Sequence, residues 1–312
     1  MSQPNPKEVI TTQALKVWLA AMAVYLVAIT GRSSFGVAGL DAMERFGVNA
    51  GRIAVFTSVQ LGVYAIAVAD SPEKLGVIPL DKEPPNSQSS SIGARLRVVF
   101  TSPIAWQAYF IHYSGMLPLV VFVMLWGMPM MTQGMELSKG KAGLVLTLLA
   151  VFLVLLGPLH GRISSRAHNI RPWVALGVVS LHVLTWVLFF AFGTSGGLAA
   201  IIAVSFILAL CTPTSNYGFD IIRENMDRAV VATATGLGNM GGFTSGMLGA
   251  QLFGMVLDHS ANAPNYSMTD FTTASLAVWA VWLCGLAGVV ITYILRRRGG
   301  YAGPTVRIEK VT

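Results

Sequence analysis

Six long apolar stretches follow one another between Pro103 and Leu295, each separated from the next by a short polar turn. This rhythm constrains the fold more than any other feature of the chain. A bilayer core about 30 Å thick needs roughly 20 mostly apolar residues per helical crossing. Lipid offers the backbone no hydrogen-bond partners, so stretches of this kind must be helices. Two further apolar stretches precede the six. The predicted spans cover residues 15–38, 53–69, 104–131, 142–160, 173–193, 197–215, 229–257 and 274–295, the second being short. The expected fold class is therefore an all-α polytopic membrane protein with about eight transmembrane helices.

Composition agrees. Charged residues make up 11% of the chain, against about 25% for a soluble domain. The net charge of +7 does not point to nucleic acid, because the basic residues sit at the ends of apolar runs rather than in a stripe interleaved with aromatics. Their distribution sets orientation instead. With both termini inside, 16 of the 21 Lys and Arg fall on the inner side, leaving Arg32, Arg45, Arg52, Lys139 and Lys141 outside. That predicts an integral membrane protein with both termini cytoplasmic, and the composition points to a bacterial plasma (inner) membrane. The first apolar run lacks a cleavage pattern and reads as a retained helix. Cys211 and Cys284 lie within apolar runs and form no metal-binding or disulfide pattern.

The segment from Asp70 to Thr101 breaks the rhythm. It is rich in Pro and Ser (Glu83-Pro84-Pro85-Asn86-Ser87) and shows no helical periodicity, so it reads as a flexible cytoplasmic linker. The expected organisation is two helices over 1–69, a linker over 70–102, a six-helix unit over 103–298 and a cytoplasmic tail over 299–312.

Three local patterns suggest kinship. Gly157-Pro158-Leu159-His160-Gly161-Arg162-Ile163-Ser164-Ser165-Arg166 is one. Phe219-Asp220-Ile221-Ile222-Arg223-Glu224, followed by a Gly-rich helix, is the second. Trp126-Gly127-Met128-Pro129 with Leu137-Ser138 is the third. Together with the six spaced spans they resemble the C-terminal half of a major facilitator superfamily (MFS) transporter. The first pattern is similar to that family's loop signature between helices 8 and 9, with Gly161 where the acid belongs. The first two spans resemble the family's helices 1 and 2, so its helices 3 to 6 have no counterpart here and the chain resembles an internally shortened member.

The resemblance implies secondary transport of a small solute by alternating access, driven by a proton or by exchange. Arg32 lies well inside an apolar segment, where a guanidinium is costly unless it faces a cavity and where it fits a carboxylate bidentately. Tyr25 and Arg32 resemble the placement of a substrate-binding arginine in organic-anion transporters of the family; the residues also allow a helix that ends near Thr30 with Arg32 at the interface. His112, in the third span, is a candidate proton relay or an interhelical hydrogen bonder. Asn239 is a candidate substrate contact. His182 and Gln60 are further polar residues within spans, and Asn216 and Tyr217 read as interfacial anchors. By resemblance, Arg162, Arg166, Asp220 and Arg223 would form an inner gate, the alternative being a solvated loop.

Gly236-Leu237-Gly238-Asn239-Met240-Gly241 matches a dinucleotide-binding pattern, but no strand precedes it. Its glycines read instead as close helix–helix packing. No nucleophile–base grouping, P-loop or metal-ligand spacing is visible, so no catalytic residue, metal or cofactor is expected. Two readings remain open: a transporter, and a transport-inactive remnant whose uncovered inward faces would be shielded by self-association.

Overall fold

The computed structural model describes residues 38–39, 41–67, 92–193, 196–260 and 266–299, at 60–67, 92, 169 and 193 for the backbone alone. Every regular element among them is helical. We number the helices α1 (Ala50–Ala67), α2 (Ile92–Thr101), α3 (Pro103–Gly134), α4 (Lys139–Ala167), α5 (Arg171–Phe192), α6 (Gly197–Asn225), α7 (Arg228–Ser260) and α8 (Met268–Arg298). Helices α3 to α8 are each long and apolar enough to cross a membrane. The chain is thus an all-α protein with six candidate membrane spans among the described residues, matching the six expected after the linker. The first expected span falls mostly outside the described residues, and the second corresponds to α1.

One expectation needs correction. The linker was expected to run unstructured to residue 102, but Ile92–Thr101 is a helix. Its Val99 is buried against Val230, Ala234 and Leu237 of α7. The Trp106 indole then donates to the Phe100 carbonyl at 2.8 Å, fixing the corner into α3.

Helix α3 is the hub. About 72% of its apolar window is buried inside the protein, against 17% for α4, which turns most of its surface outward. Small residues on its neighbours make that burial possible. A side chain at Gly241 of α7 would strike the Tyr109 carbonyl, and one at Gly249 would meet Leu117 and Val121. On α8, Gly288 faces Phe110 and Gly285 faces Tyr113 and Ser114. On α6, Gly218 lies against the Ala108 backbone. Without a hydrophobic driving force between helices in lipid, backbone approach through small residues is a principal source of association. The glycine run of α7 therefore does the packing that the sequence suggested.

Prolines and wide turns shape α3 further. Pro118 lies inside the helix, and π-helical turns occupy Phe122–Trp126 and Met130–Gly134 on either side of Pro129. Such turns arise where the regular hydrogen-bond ladder is interrupted. Ser138 caps α4 by accepting from the Lys141 N–H at 3.3 Å. Ser267 and Asp270 form a reciprocal capping box at the start of α8.

Helix α1 is tied to α7 by polar contacts. Asp258 accepts from the Ala50 N–H at 2.7 Å and the Gly51 N–H at 2.5 Å. Gln251 donates to the Gly51 carbonyl at 3.1 Å, and Ser58 donates to the Met247 carbonyl at 3.3 Å.

Candidate functional site

Helix α6 changes character where it meets α3. Its α-helical part ends at Cys211, and Thr212–Asn216 forms a tighter 3-10 segment around Pro213. Gly115 of α3 sits directly on Ser215 there, with no room for a side chain. The Ser215 carbonyl of this segment faces α3, and His112 of α3 places its Nδ1 3.1 Å away. A carbonyl only accepts, so the hydrogen of this bond is on Nδ1. The ring lies 4.8 Å from the Phe219 ring. The Asn239 side chain of α7 lies beside the same imidazole, and Gly242 of α7 lies over its Nε2 edge.

Two of the four expected substrate-site residues, His112 and Asn239, are therefore brought together from helices 127 positions apart in sequence. The other two, Tyr25 and Arg32, lie outside the described residues, as does the Gln60 side chain. Ser215 and Phe219, which complete the cluster, were not anticipated.

An apolar cavity of about 60 Å³ lies farther along α3, starting at Pro118. That is six residues from His112, or about 9 Å along a helix axis. Trp126, Trp186, Phe190, Trp279 and Trp282 contribute to its wall. The indole N–H groups of Trp186 and Trp282 are buried with no hydrogen-bond partner among the described residues. His182, one turn before Trp186 on α5, is also buried, and neither ring nitrogen has a partner there.

The polar end of the bundle departs from the expected gate. Helix α4 continues through Ala167 rather than stopping near residue 160. His160, Ser164 and Ala167 then form its buried face at helical spacing, and Arg162 and Arg166 are exposed. Neither arginine pairs with a carboxylate among the described residues. Asp220 does engage this helix, but by accepting from the Ser164 hydroxyl at 2.6 Å, and it pairs with Arg223 at 3.2 Å.

The arginine that organises this end is Arg171, only 2% exposed. Its two terminal nitrogens reach Glu224 at 2.7 and 2.9 Å, and it donates to the Ser164 carbonyl at 2.9 Å. His168 reaches Glu224 as well, at 3.1 Å. Arg296 of α8 donates to Asn225 at 2.6 Å and to Gln107 of α3 at 3.2 Å. The available signal for Arg171 was its place at the first position of a span with an acid, Glu224, near the end of another.

Tyr217 corrects a smaller expectation. It is buried rather than interfacial, and its hydroxyl lies 3.1 Å from His160 Nδ1.

No family model, no curated protein and no solved structure matches this chain.

Proposed function

We propose that the chain is a secondary transporter of a small organic anion, a shortened relative of the MFS transporters, working by alternating access with proton or exchange coupling. The observation that supports this reading best is the 3-10 segment Thr212–Asn216 meeting His112 and Asn239 inside the bundle. In transporters, interrupted helices near the middle of the membrane are where backbone groups become available to substrate and coupling ion. Polar side chains within spans are costly, and they mark pathways when they converge from several helices. The aromatic cavity beyond Pro118 gives such a solute an apolar compartment beside the polar step. The anionic class rests on Arg32, and the proposed setting is a bacterial inner membrane with both termini cytoplasmic.

Uptake into proteoliposomes by the wild-type chain, with a panel of radiolabelled mono- and dicarboxylates, tests the reading. Saturable uptake, reduced at least tenfold in His112→Ala and in Arg32→Ala, is expected. Uptake no greater than in protein-free liposomes would overturn it in favour of a transport-inactive remnant.

A further inference from the structure

The polar ends of α5, α6 and α8 enclose a second cavity, of about 180 Å³, distinct from the His112 cluster. Arg171, Glu224, Asn225, Tyr293, Arg296 and Arg297 line it. Its charges do not balance. Glu224 is taken up by Arg171. Arg296 is half-buried, and among the described residues its guanidinium bonds to the neutral side-chain oxygens of Asn225 and Gln107 alone. No carboxylate lies within 4.0 Å of it among the described residues. Arg297 stands at the mouth, 5.2 Å over the Tyr293 ring. Three arginines face one glutamate, so about two positive charges are left over in a confined space.

A partly desolvated cation normally acquires a counter-ion, because burial without one is costly. Guanidinium groups match phosphate oxygens in a bidentate fork, and basic pockets between spans at the membrane boundary recognise lipid phosphates. We propose that this cavity binds a phosphate dianion, free or as a monoester, held by Arg296 and Arg297 with Asn225 and Tyr293 alongside. The bound group would join the ends of α5, α6 and α8. A lipid headgroup and a free phosphate share this chemistry. The proposal stands apart from transport, since none of these side chains belongs to the His112 cluster.

The test uses the purified full-length chain in a non-ionic detergent. Native mass spectrometry follows retention of phosphatidic acid against phosphatidylcholine, and calorimetric titration follows inorganic phosphate. Preferential retention of phosphatidic acid by wild type, at least tenfold over phosphatidylcholine and abolished in Arg296→Gln, would identify a headgroup site. Inorganic phosphate binding weakened at least tenfold in Arg296→Gln would identify a free-anion site. Arg298→Gln, an exposed neighbour outside the cavity, is expected to leave both unchanged. Should Arg296→Gln not fold, Arg297→Gln at the exposed mouth replaces it, with a loss of threefold or more expected. Equal binding by wild type and both cavity variants, or an equal loss in Arg298→Gln, would overturn the proposal.

Discussion

Asp258, in the last turn of α7, accepts a hydrogen bond from the Ala50 N–H at 2.7 Å, so the first described long helix is capped by a residue 208 positions away. The carboxylate also receives the Gly51 N–H and, at 3.3 Å, the Tyr266 hydroxyl. It thereby meets both the exposed donors of a helix N-terminus and the positive end of its dipole. Loss of a cap costs about 0.5–2 kcal/mol. Asp258→Ala should therefore loosen α1 selectively. Hydrogen exchange is expected to accelerate at the amides of 50–54 and to stay unchanged in α4; uniform protection along α1 would refute the capping role.

Tyr266 should give the protein an alkaline limit. It lies outside the spans, and burial together with the nearby Asp258 charge pushes its phenol up from 10.0 to about 12. A raised acid constant means the folded form holds its proton more tightly than the unfolded form. The resulting stability is complete below pH 10 and is lost as pH rises through about 12. In thermal melts from pH 9 to 12, wild type is expected to fall more steeply than Tyr266→Phe above pH 10. Parallel curves would remove Tyr266 from the account.

Breaking the Arg171–Glu224 fork should be severe. Glu224→Gln leaves a guanidinium that is 2% exposed without its charge partner. The cost is placed near 3 kcal/mol, the low end for breaking a buried ion pair, because Glu224 retains contact with solvent. Replacing both partners, as in Arg171→Met with Glu224→Leu, is expected to restore much of the loss in detergent-denaturation midpoint. A double variant weaker than Glu224→Gln alone would mean the pair is not the unit of stabilisation.

His182 should be dispensable for folding. Both its ring nitrogens are buried without a partner among the described residues, and an unsatisfied buried polar group costs about 1–3 kcal/mol. His182→Leu is therefore expected to raise the melting temperature. A lowered melting temperature would show that the imidazole does have a partner in the membrane.

The glycine seam predicts a steric failure. At Gly241 an added Cβ would collide with the Tyr109 carbonyl and crowd the Tyr113 N–H. Both obstacles are backbone, so neither can rotate away. Gly241→Ala should destabilise the α3–α7 contact, whereas Gly177→Ala, with open space around it, should be neutral. Equal melting temperatures for the two would argue against tight packing at this seam.

The sequence carried the six spans because hydrophobicity at bilayer length is a local property that neighbours do not alter. It also carried the role of the α7 glycines, and it named His112 and Asn239 singly, without the packing of α3 against α7 that sets them side by side. It misplaced the charged end for a physical reason. Arg162 and Arg166 were read as loop residues, but α4 runs two further turns and places them on its outward face. Arg171 gained its importance only from where α5 begins relative to Glu224, a tertiary relationship that no local pattern encodes. The helix Ile92–Thr101 was missed because its apolar face is short and is satisfied by α7, far along the chain.

The central position of α3 has a consequence for synthesis. Its Gln107 is bonded by Arg296, 189 residues later, and its His112 by Ser215, 103 residues later. At a translation rate of ~5–20 residues per second, Arg296 is made roughly 10–40 s after Gln107, from the 189-residue separation. During that interval α3 must wait in the membrane with an amide and an imidazole uncovered. The most buried of the six described spans is thus the one left longest without its polar partners during biogenesis.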